Sequence, residues 1–191
     1  MWPYRLRSRT MHEKRFHGNA DALRSPERRT LLEVPRVLDL ILTGITADSA
    51  LDVGTGTGLF AEELAARGLS VVGLDANPDM VQRAGTLVPS VRFLEGTAEK
   101  LPFPDQSFDL VFLGQVLHEV EPPLAALKEA HRVARVRVAI LEWPYREEEQ
   151  GPPFAIRMEP KRVEAWARTA GFRKVQRRTL TRMELFLLDI A

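Results

Sequence analysis

The chain has 191 residues, 45% of them hydrophobic and 28% charged, a balance that excludes a disordered, collagen-like or disulfide-rich polypeptide and predicts one domain with a sizeable core. Lys and Arg number 27 against 26 Asp and Glu, for a formal charge of +1, so no global field draws the chain to nucleic acid or to an anionic membrane. There is no cysteine, which excludes disulfides, iron–sulfur ligation and a thiolate nucleophile and agrees with a reducing compartment.

Residues 1–26 are rich in Arg, His and Lys and lack periodicity, so they read as a basic arm, irregular or partly helical. The opening Met1-Trp2-Pro3-Tyr4-Arg5-Leu6-Arg7-Ser8-Arg9 carries positive charge but no apolar stretch follows it, and no run approaches the roughly 18 apolar residues of a membrane span. A cytoplasmic protein without a membrane span is expected. Over 27–44 the pattern becomes helical. Ser25 suits a cap and Pro26 a first helical position, and Leu31, Leu32, Val34, Val37, Leu38, Leu40 and Ile41 form an apolar face before Gly44. Pro35 falls inside this stretch and predicts a kink or a second start.

Residues 45–191 then alternate short apolar runs with longer amphipathic segments. The runs Ala50–Val53, Val71–Leu74, Val91–Leu94, Leu110–Leu113 and Val136–Leu141 suit strands buried on both faces. Helices are predicted at Leu59–Arg67 with Gly68 as a stop, from the Asn77-Pro78-Asp79 cap to about Leu87, from Pro122 or Pro123 to Val133, and at Pro160–Ala170 before Gly171. Right-handed crossovers would assemble these into a parallel sheet covered on both sides. Lys174–Leu180 and Met183–Ile190 are separated by too few residues for a crossover, and predict an antiparallel terminal hairpin.

Leu51-Asp52-Val53-Gly54-Thr55-Gly56-Thr57-Gly58 closes the first strand and opens the first crossover helix, the place where nucleotide-type ligands meet the carboxyl end of such sheets. Gly54 and Gly56 permit a tight turn and close approach, and Gly58 lets the helix pack on the strand; a plain strand-to-helix connection is the other reading. A dinucleotide fingerprint G-x-G-x-x-G would need glycine at 59, where Leu59 stands. Asp52 could accept from an amino group or organise the loop, and would repel a diphosphate. Asp75, seventeen residues beyond Gly58, can accept both hydroxyls of a ribose or cap the next helix, a post that Asn77 also suits.

These residues resemble the class I S-adenosylmethionine-dependent methyltransferases, in particular the small branch related to ubiquinone and menaquinone biosynthesis enzymes, often called type 11. The resemblance is carried by Asp52 to Gly58, by Gly73-Leu74-Asp75 with Asn77, and by Ala98-Glu99-Lys100-Leu101-Pro102-Phe103-Pro104-Asp105-Gln106-Ser107-Phe108-Asp109-Leu110-Val111; it is strong over 50–133 and weak beyond. It implies an α/β, Rossmann-like, seven-stranded, mostly parallel sheet with helices on both faces and an antiparallel C-terminal hairpin, and S-adenosyl-L-methionine as cofactor with S-adenosyl-L-homocysteine as product. Gly54, Thr55 and Gly56 would face the methionine part and Asp75 the ribose. Ala76, Asn77 and Met80 would flank the adenine, with Thr97, Ala98 and Glu99 beside it. Gln115, Val116, Leu117 and His118 would approach the sulfonium. Relatives often carry an acid where Thr97 stands, and a Pro-Gly-Gly turn where this chain has Arg132-Val133-Ala134-Arg135-Val136.

Transfer from a sulfonium needs an aligned acceptor and excluded water more than a dedicated acid or nucleophile. His118 is the candidate base if the acceptor must lose a proton, or else a histidine packed under the cofactor. Trp143 and Tyr145 could line the acceptor pocket or cover the sheet edge. Arg5, Arg7, Arg9, Lys14 and Arg15 of the arm could close over the site or remain a solvated tail. Relatives that methylate adenine or cytosine amino groups use Asn or Asp followed by Pro-Pro-aromatic, where this chain has Leu113-Gly114-Gln115-Val116. Carbon-5 methylation of cytosine needs the absent cysteine. A small-molecule acceptor is therefore expected, without nucleic acid and without a metal. Two other readings stay open: a protein that binds the cofactor without transferring from it, and an NAD-dependent oxidoreductase.

Overall fold

In the computed structural model, which describes residues 20–191, the five apolar runs and the two terminal segments become seven strands of one sheet: β1 (Ser49–Val53), β2 (Ser70–Asp75), β3 (Arg92–Glu95), β4 (Phe108–Gly114), β5 (Ala134–Glu142), β6 (Lys174–Thr179) and β7 (Glu184–Asp189). Their order is β3-β2-β1-β4-β5-β7-β6. The pairings β1–β2, β1–β4, β2–β3 and β4–β5 are parallel, and β5–β7 and β6–β7 are antiparallel. The terminal hairpin forms as its short link requires, with β7 inserted between β5 and the edge strand β6. Strand order reverses at β1, which pairs with both β2 and β4, so the crevice beyond the carboxyl ends of β1 and β4 is the switch point where ligands lodge in open α/β sheets.

Along the central strands residues alternate between two cores. Leu110 and Phe112 of β4, Ala139 and Leu141 of β5 and Leu185 and Leu187 of β7 face one core; Val111 and Leu113, Val138 and Ile140, and Phe186 and Leu188 face the other. On the first side the sheet is covered by α2 (Val34–Leu42) and α3 (Leu59–Ala66), and on the second by α5 (Pro123–Val133) and α6 (Pro160–Ala170). Met80 and Ala84 are the buried residues of α4 (Pro78–Leu87). Burial on both faces is why these strands read as continuous apolar runs.

The helical stretch predicted from Ser25 to Gly44 is two helices. Ser25 Oγ accepts the Arg28 amide at 3.1 Å and Pro26 opens α1 (Pro26–Leu31). Glu33 then takes the left-handed region at φ 49°, and α2 restarts with Pro35 in its first turn. Pro35 marks a second start because its ring would strike the carbonyl four residues earlier and it offers no amide to that bond. The strained Glu33 is braced: its carboxylate accepts the Thr181 amide and pairs with Arg36, each at 2.7 Å.

Between α5 and β5 there is no turn: Val133 ends the helix and Ala134 begins the strand. Arg132 takes over the bracing, donating to Glu129, Asp105, Phe103 O and Leu101 O. Arg135 pairs with Asp109 at 2.8 Å. That ion pair, with hydrogen bonds from Ser49 and Asp48, holds the Asp109 carboxyl down to about 2 despite partial burial. Among the described residues no helix is long and apolar enough to cross a membrane.

Candidate cofactor site

The chain leaves β1 through Gly54, Gly56 and Gly58 at φ 67°, 57° and 81°. Glycine takes these angles without the clash an L side chain meets there. At Gly54 space is closed as well, since a Cβ would overlap Cγ2 of Val116. At Gly56 the nearest atom to such a Cβ is Leu23 Cδ1 at 3.5 Å, so the demand there is conformational. The amides of this turn face inward. Gly54 and Thr55 donate to Leu74 O at 2.7 and 3.0 Å, Gly58 to Thr55 O at 2.9 Å, and Gly56 to Asp75 Oδ2 at 2.8 Å. A diphosphate is held by outward-facing amides at such a turn, and here those amides are occupied.

Asp52 is 2% exposed, and its Oδ2 accepts the Thr55 hydroxyl at 2.6 Å. Burial pushes its carboxyl up to about 7, against hydrogen bonds from Thr55 and the Ala61 amide and with the Asp75 charge adding to the rise. Asp75, at the end of β2, clasps the turn: besides Gly56 it accepts the Asn77 amide at 2.9 Å. A carboxylate offers about four acceptor positions, which lets one group brace a turn and meet hydroxyls. The cap of α4 is Asn77, whose Oδ1 accepts the Asp79 amide at 3.0 Å. Among the described residues the buried Thr57 Oγ1, beside this turn, has no hydrogen-bond partner.

Register places the third-strand exit beside the second. Asp75 pairs with Glu95, and the Gly96 amide donates to Asp75 O at 3.0 Å. Thr97, Ala98 and Glu99 thus follow next to Ala76 and Asn77. Met80 and Ala98 are buried, Ala76, Asn77 and Glu99 are half-buried, and Thr97 is exposed, in a bridge with Lys100. Two strand ends thus stand side by side, with the apolar Met80 and Ala98 buried next to them and the Asp75 carboxylate at the end of β2.

Beyond β4, Gln115 sits in the left-handed region at φ 62° and its amide donates to Leu141 O at 2.7 Å. Its side chain joins two distant segments: Oε1 accepts Arg28, and Nε2 contacts Met183 Sδ at 3.0 Å. His118, 4% exposed, lies in a single 3-10 turn (Leu117–Glu119). Its Nδ1 is 2.8 Å from Oε2 of Glu142, a carboxylate 1% exposed at the end of β5. Burial pushes the His118 pKa down, but the Glu142 charge and hydrogen bond, aided by Glu119 and opposed by Arg28, leave it raised above 6.5.

Trp143 is 3% exposed, with the guanidinium groups of Arg28 and Arg157 5.7 and 5.5 Å from its ring centre. Tyr145 stands apart, 45% exposed, its ring tilted by 36° against Phe154 with centroids 4.8 Å apart. The arm residues Arg5, Arg7, Arg9, Lys14 and Arg15 lie outside the described residues. The described end of the arm covers the glycine turn: Leu23 lies over Gly56, and Arg24 donates to Thr57 O at 2.9 Å and pairs with Glu62.

Sequence reasoning singles out Asp52, Gly54, Thr55, Gly56 and Gly58, which the structure gathers at one turn, Asp75, which it sets against that turn from the end of β2, and Gln115, Val116 and His118, which follow the adjoining end of β4. It missed Arg28, Glu142 and Arg157. Glu142 had a signal, an acid directly after the apolar run Val138–Leu141, since buried carboxylates are rare unless paired. Arg28 and Arg157 had none, because arginines in polar stretches look alike until tertiary contacts single some out.

Comparison with known proteins agrees with this geometry. Residues 51–140 match the family described as a methyltransferase domain. A demethylmenaquinone methyltransferase of Chlorobaculum tepidum is 41% identical over 95 residues, covering 49% of this chain and 39% of the relative. An uncharacterized methyltransferase of Mycobacterium tuberculosis is 37% identical over 118 residues, covering 61% of this chain and 48% of the relative. The chain thus spans less than half the length of these curated relatives. The crystal structure of a SAM-dependent methyltransferase from Aquifex aeolicus superposes with a TM-score of 0.80 at 26% identity, over 90% of this chain and 97% of that one. The matched segment, residues 51–140, belongs to the type 11 branch of the class I S-adenosylmethionine-dependent methyltransferases.

Proposed function

We propose that this chain works as one methyltransferase domain that binds S-adenosylmethionine across the ends of β1, β2 and β4 and methylates a small-molecule acceptor in the cytoplasm. The observation that carries the reading is the acidic, inward-facing glycine turn. With four amides bonded inside the protein and Asp52 and Asp75 beside them, the turn suits hydroxyls and an ammonium rather than a diphosphate. The absence of cysteine agrees with the cytoplasmic setting.

In this reading Asp75 accepts the ribose hydroxyls and Ala76, Asn77, Met80, Thr97, Ala98 and Glu99 enclose the adenine. Gly54, Thr55, Gly56, Gly58 and Asp52 take the amino-acid end, and Gln115 and Val116 border the sulfonium. The cofactor supplies a methyl group already activated on sulfur, so that transfer is an in-line displacement with S-adenosylhomocysteine as product. The protein's part is to align the acceptor and exclude water. Trp143, with Tyr145 further out, walls the acceptor side, and His118 receives a proton where the acceptor has one to lose.

The test has two stages. S-adenosylhomocysteine should raise the melting temperature and NAD should not; the reverse result overturns the assignment. Labelled S-adenosylmethionine with a panel of small acceptors, including a hydroquinone because of the name of the Chlorobaculum relative, should yield labelled product. Binding without turnover across a broad panel would mark a cofactor-binding protein without transfer.

A further inference from the structure

Glu142 ends a strand whose preceding residues, Val138 to Leu141, are all buried. Removing an ionised carboxylate from water costs several kcal/mol unless it is paired and hydrogen-bonded. Its bonds go to the His118 ring at 2.8 and 3.1 Å, to the His118 amide at 3.2 Å and to the Trp143 amide at 3.3 Å. Thus one carboxylate grips both the ring and the backbone of His118, and joins the exit of β4 to that of β5. A carboxylate accepts only, so the proton of the neutral ring is placed on Nδ1 and the lone pair on Nε2. Glu119 Oε1 lies 3.8 Å from Nε2, beyond hydrogen-bond range.

We infer that Glu142 is a positioning residue for proton transfer, holding His118 in the Nδ1-protonated form so that Nε2 is the accepting nitrogen, and balancing the imidazolium that results. This rests on the methyltransferase reading, for an acceptor that must lose a proton. In the step, the acceptor's electron pair forms the bond to the methyl carbon, the carbon–sulfur pair stays with sulfur, and the acceptor's proton ends on Nε2. The pair then carries one positive and one negative charge and is neutral overall, which favours protonation in a buried setting. Among the described residues the other charged groups acting on the ring are Glu119, from its own turn, which assists, and Arg28, from α1, which opposes. The same logic of base and orienting carboxylate serves hydrolases of unrelated fold.

The test is nitrogen-15 NMR of histidine-labelled full-length protein, alone and with S-adenosylhomocysteine. Four histidines are present, and His118→Gln identifies the resonance. The wild-type spectrum should show the Nδ1-protonated tautomer and a titration midpoint above 6.5. Glu142→Gln should lower that midpoint by about one pH unit or more, a tenfold or larger loss of proton affinity, with Glu142→Asp in between. An Nε2-protonated tautomer at His118 in the wild type overturns the proposal, whatever the Glu142 variants do, as does an unmoved midpoint in Glu142→Gln. With an acceptor that turns over, the rise of kcat with pH should shift by the same interval while KM for S-adenosylmethionine stays put. Should S-adenosylhomocysteine fail to bind wild-type protein, the methyltransferase reading falls while the His118 titration still judges the pair. Should it bind while the midpoint stays unmoved, the pair alone falls.

Discussion

Replacing Asp52 by Asn isolates the electrostatic cost of the buried acid beside the glycine turn. The folded carboxyl titrates at about 7 against an ordinary 3.8, with burial as the largest cause. A group whose folded pKa is raised contributes stability that is present below the unfolded value and lost as pH rises through the folded one. Each pH unit across that interval is worth about 1.4 kcal/mol, so about 4 kcal/mol is the ceiling on what Asp52 withdraws between pH 4 and pH 8. Asparagine matches the neutral acid in size and can still accept the Thr55 hydroxyl. The variant should therefore be close to wild type at pH 4 and more stable at pH 8, by on the order of 10 °C in Tm at the ceiling for a chain of this size. Thermal unfolding of both proteins across this range checks it. Parallel stability curves would refute the claim that Asp52 is a strained, desolvated acid. If an ammonium is its partner in the complex, the same variant should also bind S-adenosylhomocysteine more weakly at pH 8, read by calorimetry.

Asp75→Ala should weaken S-adenosylhomocysteine binding by about 1–3 kcal/mol, because hydroxyls lose a charged acceptor and the Gly56 and Asn77 amides lose their clasp; an unchanged Kd in calorimetry would count against the ribose role. Gly54→Ala forces a left-handed alanine onto Val116. It should cost about 1–2 kcal/mol for the backbone plus about 1–3 kcal/mol for overpacking, and adding Val116→Ala should return the second part only; a Tm equal to wild type would be the contrary result. Arg157→Met removes the donor to Pro144 O, Arg146 O, Gln150 O and Pro152 O; of these the Pro144 and Pro152 bonds are buried, and each of those two carbonyls left bare costs about 1–3 kcal/mol. Limited proteolysis should then cut faster within 146–151, and unaltered cleavage would show that the loop holds without it.

The parallel sheet, its strand positions and the terminal hairpin were legible in the sequence because their cause is local: continuous apolar runs, capped helices between them, and a link too short to cross over. The glycine turn was legible for the same reason, since alternate glycines after a buried strand supply the left-handed angles that a tight turn there needs. Pro35 showed that the first helical stretch would be interrupted. The direct passage of Val133 into Ala134 was not foreseen, because the arginine bracing that replaces a turn draws on Asp105, Asp109 and Glu129 from separate elements.

Periodicity and backbone sterics over a few residues thus dictate the scaffold and the motif that turns at its switch point. Which charges are buried together is set by the folded arrangement instead. His118 and Glu142 are 24 residues apart, Arg28 and Gln115 87 apart, and no local pattern couples them. They meet because β4 and β5 lie side by side and α1 lies across their ends, and burial then makes each charge depend on the partner that the fold supplies.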